Sequence, residues 1–265
     1  MTALLEVLDL HKSFAGVRAL GGVSFDVEAG SITGLIGPNG SGKSTTIDCI
    51  SGFQAADGGR VRLAGADITS CAPQAIARAG LIRTFQTVLL YERLSVRDNL
   101  AIAAQQFDDA IWLDELLRTA RYRRAVAVAD ERTRQLLDLV GLSRYAEVDA
   151  GMLSYGEKKL VALAAALMSQ PKLVILDEPV AGVNPARIRE VEAILRRLNG
   201  AGQTLVIIEH NVEFVTNLCH RVVVLDQGRK LAEGTPAEIH RDPRVLEAYL
   251  GMTPQMAAAE AKGAA

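Results

Sequence analysis

One nine-residue segment carries the clearest chemistry in this chain. It fits the pattern G-x-x-x-x-G-K-[ST] and consists of Gly37, Pro38, Asn39, Gly40, Ser41, Gly42, Lys43, Ser44 and Thr45. Glycines let successive backbone N–H groups turn toward phosphates, and a helix that begins at the loop adds partial positive charge. We expect Lys43 to reach the β- and γ-phosphates of a nucleotide and the Ser44 hydroxyl to bind Mg²⁺.

Two carboxylates follow a later aliphatic segment. Asp177 and Glu178 come directly after the run at 173–176, which places both acids at the carboxyl end of a strand. Ligands bind at that end in open α/β sheets. We expect Asp177 to hold Mg²⁺, directly or through water, and Glu178 to polarise the water that attacks the γ-phosphate. The alternative, a pair of solvated acids, does not explain their place in the same predicted sheet as the phosphate loop.

A third candidate lies at the start of an apolar helix. Ser154 and Glu157 have the spacing of a capping box, and any helix can begin in this way. The serine hydroxyl and the Gly156 amide at such a helix start can also bind an anion. The residues alone leave both interpretations open.

The first part of the chain has the pattern of an antiparallel sheet. Residues 4–10, 23–27 and 60–63 are of strand type, and a turn is predicted at Gly21 and Gly22. We expect these strands to form an antiparallel β-subdomain over 1–30 and 60–70.

Later aliphatic runs predict the core that positions the candidate site. They lie at 172–176, 204–208 and 222–225. Near-continuous aliphatic strands are typical of a mostly parallel sheet that is buried on both faces. The sequence therefore predicts an α/β fold with a nucleotide-binding core over 31–90 and 160–240.

The segment between the two halves of this core favours helix. Apolar residues recur at helical spacing over 108–117 and 125–140, and we interpret 95–155 as an inserted α-helical subdomain. Its six arginines at 118–134 form either a solvated face or a contact with acidic headgroups or a partner. The Ala-rich end, 252–265, is predicted to be a flexible tail, which leaves 1–251 as a single domain.

Bulk properties exclude several other classes of protein. The 265 residues carry a net charge of −2, without the basic balance of a nucleic-acid binder, and no nucleic-acid partner is expected. Three scattered cysteines argue against a disulfide framework or a zinc site. The first ten residues lack the features of a signal peptide, and the longest apolar run, 161–168, is too short to span a bilayer.

Taken together, these motifs resemble those of the nucleotide-binding subunits of ABC transporters, over residues 4–250. The segment Leu-Ser-Tyr-Gly-Glu at 153–157 is similar to their signature motif, Leu-Ser-Gly-Gly-Gln, with Tyr155 and Glu157 as departures. The resemblance implies an ABC-type P-loop ATPase in which Ser154 and Gly156 contact ATP bound to the phosphate loop of a second subunit. Glu157 is included among the expected nucleotide contacts.

Four further positions match the resemblance. Phe14 is expected to stack on adenine, with a core position as the alternative, and Gln86 is expected to reach Mg²⁺ and the attacking water. His210 corresponds to the histidine that contacts the γ-phosphate. Asn184 lies in a segment resembling the loop that crosses the dimer interface, and with Pro185 it also has the pattern of a helix start.

The residue sequences of three motifs favour one kind of transporter. Segments 83–88, 153–157 and 177–185 resemble those of the larger ATPase of branched-chain amino acid importers. Urea or amide uptake and lipopolysaccharide export are the alternatives within the family; a soluble ABC ATPase or a P-loop kinase fits less well. The resemblance implies transmembrane permease subunits and, indirectly, a solute-binding protein as partners, and a peripheral location on the cytoplasmic face of the membrane. Residues 87–96 either dock on the permease or pack the helical subdomain.

Overall fold

A computed structural model of the chain describes residues 3–85, 87–105 and 119–250. The described strands form two sheets, one with four strands and one with six. The predicted helix at 108–117 and the tail at 252–265 lie outside the described residues.

The smaller sheet is antiparallel, as predicted, and has the order β2-β1-β4-β5. Its strands are β1 (Ala3–Phe14), β2 (Val17–Glu28), β4 (Gly58–Leu63) and β5 (Ala66–Asp67). The predicted turn at Gly21 and Gly22 is wrong, because β2 runs through both residues. Leu10 pairs with Val23 and His11 pairs with Gly21, so Gly22, at φ 94°, is an extra residue in β2 and shifts the register between β1 and β2. Glycine within a strand favours such a bulge, and the chain reverses instead at Ala15 and Gly16.

The larger sheet has the order β10-β9-β3-β8-β7-β6 and forms the core. Its strands are β3 (Ile32–Ile36), β6 (Leu81–Thr84), β7 (Leu173–Asp177), β8 (Thr204–Ile208), β9 (Arg221–Asp226) and β10 (Arg229–Gly234). All pairs are parallel except β9 with β10. The mostly parallel core is thus confirmed, although β6 is too short and β10 too polar for the aliphatic pattern to reveal them.

Alternating side chains of the core sheet belong to two apolar clusters, one on each face. Leu173 and Ile175 join a cluster that includes side chains from the antiparallel sheet and from the first two helices. Val174 and Leu176 join the cluster on the other face, which contains most of the remaining helices. This double burial explains why the core strands are continuously aliphatic.

The described α-helices are numbered in chain order. They are α1 (Lys43–Ile50), α2 (Pro73–Ala79), α3 (Val96–Gln105), α4 (Ala120–Leu139), α5 (Tyr155–Leu167), α6 (Pro185–Gly200), α7 (Val212–Leu218), α8 (Pro236–Arg241) and α9 (Pro243–Leu250). Two short 3₁₀ turns, Ser143–Tyr145 and Ala150–Met152, precede α5. Within the described ranges, no helix combines the length and apolar character that a bilayer crossing requires.

Candidate nucleotide-hydrolysis site

The phosphate loop joins β3 to α1, as predicted. Gly42 caps α1 with φ 100° and has no side chain with which to occupy the helix N-terminus, so the first amides of α1 face the loop. The Lys43 ammonium donates to the carbonyls of Gly37 and Pro38, at 2.8 and 2.9 Å. Burial lowers the pKa of Lys43, and the charges of Glu178 and Asp177 oppose that shift.

Close backbone contacts explain one of the loop glycines. Gly37 has φ 155°, and a Cβ at this position would lie 2.2 Å from the carbonyl oxygen of Leu225 and 2.5 Å from the hydroxyl of Ser41. Any side chain there would push the loop away from β9. Glycine is therefore required by the chain's own packing.

Strands β7 and β8 bring the predicted hydrolytic residues together. Nε2 of His210 lies 3.0 Å from Oε1 of Glu178. Glu178 adopts a left-handed backbone conformation, with φ 50°, and its N–H donates to the carbonyl of Ile208, at 2.9 Å. A non-glycine residue in this region is strained, and such residues cluster at functional sites.

A buried acid and a lysine hold these strand ends in place. Glu209 accepts hydrogen bonds from the backbone N–H groups of Val180 and His210, at 3.0 and 3.1 Å. Lys159 of α5 donates to the carbonyl of Glu178. Neither residue is predicted from a motif, although Glu209 follows the aliphatic run of β8 as Asp177 follows that of β7, a parallel that could have revealed it.

Arg83 is a further residue whose place at the site was missed. Its guanidinium forms ion pairs with Asp177, at 2.8 Å, and with Asp48 of α1. It also lies 5.1 Å from the ring centroid of Phe85. Arg83 thus joins the helix of the phosphate loop to the strand that carries Asp177, and no motif in one segment could have shown this.

A cleft of about 330 Å³ unites most of the predicted residues. It is lined by Ala19, Asn39, Gly40, Ser41, Gly42, Lys43, Ser44, Thr45, Asp177, Glu178, Ile208 and His210. Cationic and polar loop groups therefore face two carboxylates and an imidazole, as phosphate binding and attack by water require.

The structure does not place every predicted residue in this cleft. The Phe14 ring is 43% exposed near the β1–β2 turn, where the ammonium of Lys12 lies 5.3 Å from its centroid, so Phe14 is not a core residue. Stacking of Phe14 on adenine stays a prediction. Gln86 lies outside the described residues.

The signature segment lines a second cavity, of about 280 Å³, and among the residues that the structure describes none lines both this cavity and the cleft. Ser154 caps α5 in the expected capping box with Glu157. Glu157 is buried beneath the exposed Ser154, so its contact with ATP stays a prediction. The ring of Tyr155 covers Gly182, where a Cβ would lie 3.1 Å from two ring carbons, so the tyrosine leaves little room for a side chain at position 182.

Asn184 has the expected structural role at the start of α6. Its side chain accepts a hydrogen bond from the Ala186 N–H, at 3.0 Å, and Pro185 opens the helix. The helix start thereby fixes the loop that lines the second cavity. A contact of this loop across an interface stays a prediction.

Residues 88–91 differ in their exposure, which bears on whether this segment docks on the permease or packs within the chain. Leu89 is 84% exposed and Tyr91 is also exposed, whereas Leu90 packs against the core cluster that includes side chains of α3 and α4. The exposed rings of Phe53 and Phe85 meet edge to face at 5.3 Å. Packing therefore explains Leu90 but leaves Leu89 and Tyr91 facing outward.

A phosphate loop after the first core strand, acids after β7 and a histidine after β8 together define a P-loop nucleoside triphosphatase. The family model described as "ABC transporter" matches residues 20–181, and that described as "Branched-chain amino acid ATP-binding cassette transporter" matches residues 229–251. The chain belongs to the ABC transporter family and is an ATPase of that family.

Two relatives illustrate the extent of the similarity. The chain is 36% identical to the high-affinity branched-chain amino acid transport ATP-binding protein BraF of Pseudomonas aeruginosa over 249 residues, which cover 94% of this chain and 98% of BraF. It is 37% identical to the corresponding protein LivG of Salmonella typhimurium, with the same coverage. Among solved structures, a nucleotide-free ATP-binding cassette from an ABC transporter superposes with a TM-score of 0.82 at 35% identity, over 95% of this chain and 100% of that one.

Proposed function

We propose that this chain hydrolyses ATP with Mg²⁺ to power an importer of branched-chain or related apolar amino acids. The observation that carries the proposal is the convergence of Lys43, Asp177, Glu178 and His210 on one cleft beside the phosphate loop. Similarity to BraF and LivG, which are branched-chain amino acid transport ATP-binding proteins, supports the choice of solute.

Each side chain of the cleft would have its own task in hydrolysis. Lys43 would exchange its bonds to the loop carbonyls for charge-assisted bonds to phosphate oxygens. Glu178 would accept the proton of the attacking water, and His210, 3.0 Å from Glu178, would orient that carboxylate and contact the γ-phosphate.

Ser44 and Asp177 are suited to hold Mg²⁺. Both line the cleft, and no group of three or more His, Cys, Asp or Glu side chains in the described part of the chain forms an all-protein metal site. Mg²⁺ suits this set because it is usually held by one or two carboxylates together with substrate phosphates and water. When bound, it would neutralise charge on the phosphates. Gln86 is proposed as an additional ligand.

A second ATPase subunit would complete the site. Ser154 is exposed and lines a cavity separate from the cleft, which suits a contact with nucleotide held by another chain. Among the described residues, a Cβ at Gly156 would meet only the methyl groups of Val183, at 3.8 Å, and their packing does not require glycine there. Close approach of a partner subunit would require glycine at position 156. We place this pair on the cytoplasmic face of the membrane, bound to permease subunits. A solute-binding protein would deliver the solute to those permease subunits.

Reconstitution tests the whole proposal. The chain, its cognate permease subunits and the binding protein are placed in vesicles, and ATP hydrolysis is measured with leucine, valine, urea or no solute. We expect leucine and valine to raise both ATP hydrolysis and their own uptake. Stimulation by urea alone would reject the proposed solute class, and a lack of response to every solute would reject the importer.

Two substitutions test the assigned roles. Glu178→Gln should keep ATP binding, abolish steady-state hydrolysis and accumulate ATP-bound dimers, whereas the exposed acid of α7 in Glu213→Gln should leave hydrolysis unchanged. Ser154→Arg should prevent the ATP-dependent dimer but preserve ATP affinity, with Ser143→Arg as its exposed control. Wild-type turnover in Glu178→Gln would remove Glu178 from the role of base. An unchanged dimer in Ser154→Arg would exclude the contact across subunits.

A further inference from the structure

The hydroxyl of Ser154 is already engaged within its own chain. It donates to Oε2 of Glu157, at 2.6 Å, and the backbone N–H of Ser154 donates to the same oxygen, at 2.9 Å. Glu157 is buried, and the hydrogen bond from Ser154 lowers its pKa, so its carboxylate is charged at neutral pH. A phosphate that approaches Ser154 must therefore compete with an anion for the hydroxyl.

Arg187 reaches the same carboxylate from another element. Nη1 of Arg187 lies 3.5 Å from Oε1 of Glu157, and Nε of Arg187 lies 3.2 Å from Oε2 of Glu190. Arg187 belongs to the first turn of α6, directly after the loop that Asn184 caps. The position of this loop thus sets how well the charge of Glu157 is neutralised.

The negative charge of Glu157 gives this capping box an effect on a phosphate that approaches Ser154. Two like charges a few ångströms apart near a protein surface repel each other, whereas a neutral glutamine would keep an acceptor for Ser154 without that repulsion. The other capping box in the described chain, Thr235 with Glu238, has the same bonds at 2.7 and 2.9 Å and lies at α8, away from the signature segment. It provides a control with matching chemistry.

We propose that Glu157 and Arg187 form an electrostatic gate on Ser154, which sets how tightly two ATP-loaded copies of this chain associate. Glu157 weakens the association by holding the Ser154 hydroxyl and repelling phosphate, and Arg187 offsets that repulsion. Both are positioning residues, since they act through Ser154. The inference rests on the proposed function, because it requires a second subunit at the ATP site.

The dissociation constant of the ATP-dependent dimer tests the gate. It is measured by sedimentation over a range of protein concentrations, with Mg²⁺ and ATP or ADP, in a Glu178→Gln parent. We expect Glu157→Gln to tighten the ATP dimer about tenfold and Arg187→Met to weaken it about tenfold, as expected for one partly screened charge. Arg187→Lys should restore most of the affinity, and Glu238→Gln should stay within about twofold of the parent, since it lies outside the gate.

A double variant separates the gate from general damage to the fold. Once Glu157 is neutral, Arg187 has no charge to offset near Ser154, so Glu157→Gln with Arg187→Met should dimerise like Glu157→Gln alone. If the parent dimerises but Glu157→Gln is equal or weaker, the gate is overturned and the proposed function stands. If neither the parent nor Glu157→Gln dimerises with ATP, both proposals are overturned.

Discussion

Arg83 offers a quantitative test of how the hydrolysis site is held together. Its side chain is 8% exposed and lies between Asp177, whose side chain is 15% exposed, and the more exposed Asp48. Arg83→Met keeps most of the apolar stem but leaves both acids without the guanidinium. Removal of one partner from a buried ion pair costs about 3–5 kcal/mol. Because Asp48 can be partly rehydrated, we expect a loss at the lower end, about 3 kcal/mol.

Urea unfolding followed by circular dichroism measures this loss, without nucleotide. Arg60→Met is the matched control, since Arg60 is 54% exposed and pairs with an exposed Asp67 at 3.3 Å. Exposed pairs contribute about 1 kcal/mol or less. Adding Asp177→Asn to Arg83→Met removes a stranded charge and should recover part of the stability. If Arg83→Met loses no more than Arg60→Met, the carboxylates are hydrated and the reasoning is wrong.

Two further substitutions test groups in the hydrolysis site, and a third tests a buried thiol of the core. Lys43→Met removes the ammonium that would bind phosphate and should weaken ATP binding about tenfold or more, measured with a fluorescent nucleotide; unchanged affinity would exclude that role. His210→Ala should keep ATP binding but slow phosphate release by roughly 10²-fold or more, because the orienting partner of Glu178 is lost; a normal rate would contradict this. Burial raises the pKa of Cys219 to about 12 from an ordinary value of 9.0, so above pH 9 the unfolded thiol ionises first and the free energy of unfolding falls. From pH 8 to 10, the wild type should lose about 1 kcal/mol more than Cys219→Ala, and equal losses would refute the shift.

The sequence reveals the parts of the site that lie in one segment. The phosphate loop was predictable because it needs adjacent glycines, a lysine and a serine, and Asp177 with Glu178 because both follow an aliphatic strand. Arg83 was not, since its partners come from α1 and β7 and its own residue type is common on surfaces. The fold likewise has features that one segment predicts and features that depend on several segments. The aliphatic runs predict their strands, whereas Gly21 and Gly22 suggest a turn, because a bulge depends on how a strand pairs with its neighbour and one segment alone does not show that pairing.

The separation of the two cavities has a consequence for mixed subunits. Lys43→Met damages the cleft but leaves the Ser154 cavity intact, and Ser154→Arg does the reverse, because no described residue lines both. In the two-subunit arrangement proposed above, each variant alone has no intact site. A mixed dimer joins the cleft of the Ser154→Arg chain to the Ser154 of the Lys43→Met chain and so regains one site of two. Because Ser154→Arg disfavours its own dimer, association is not random, and hydrolysis should return to a level above that of either variant alone and at most about half that of the wild type. A mixture as inactive as its components would show that one chain does not complete the site of the other.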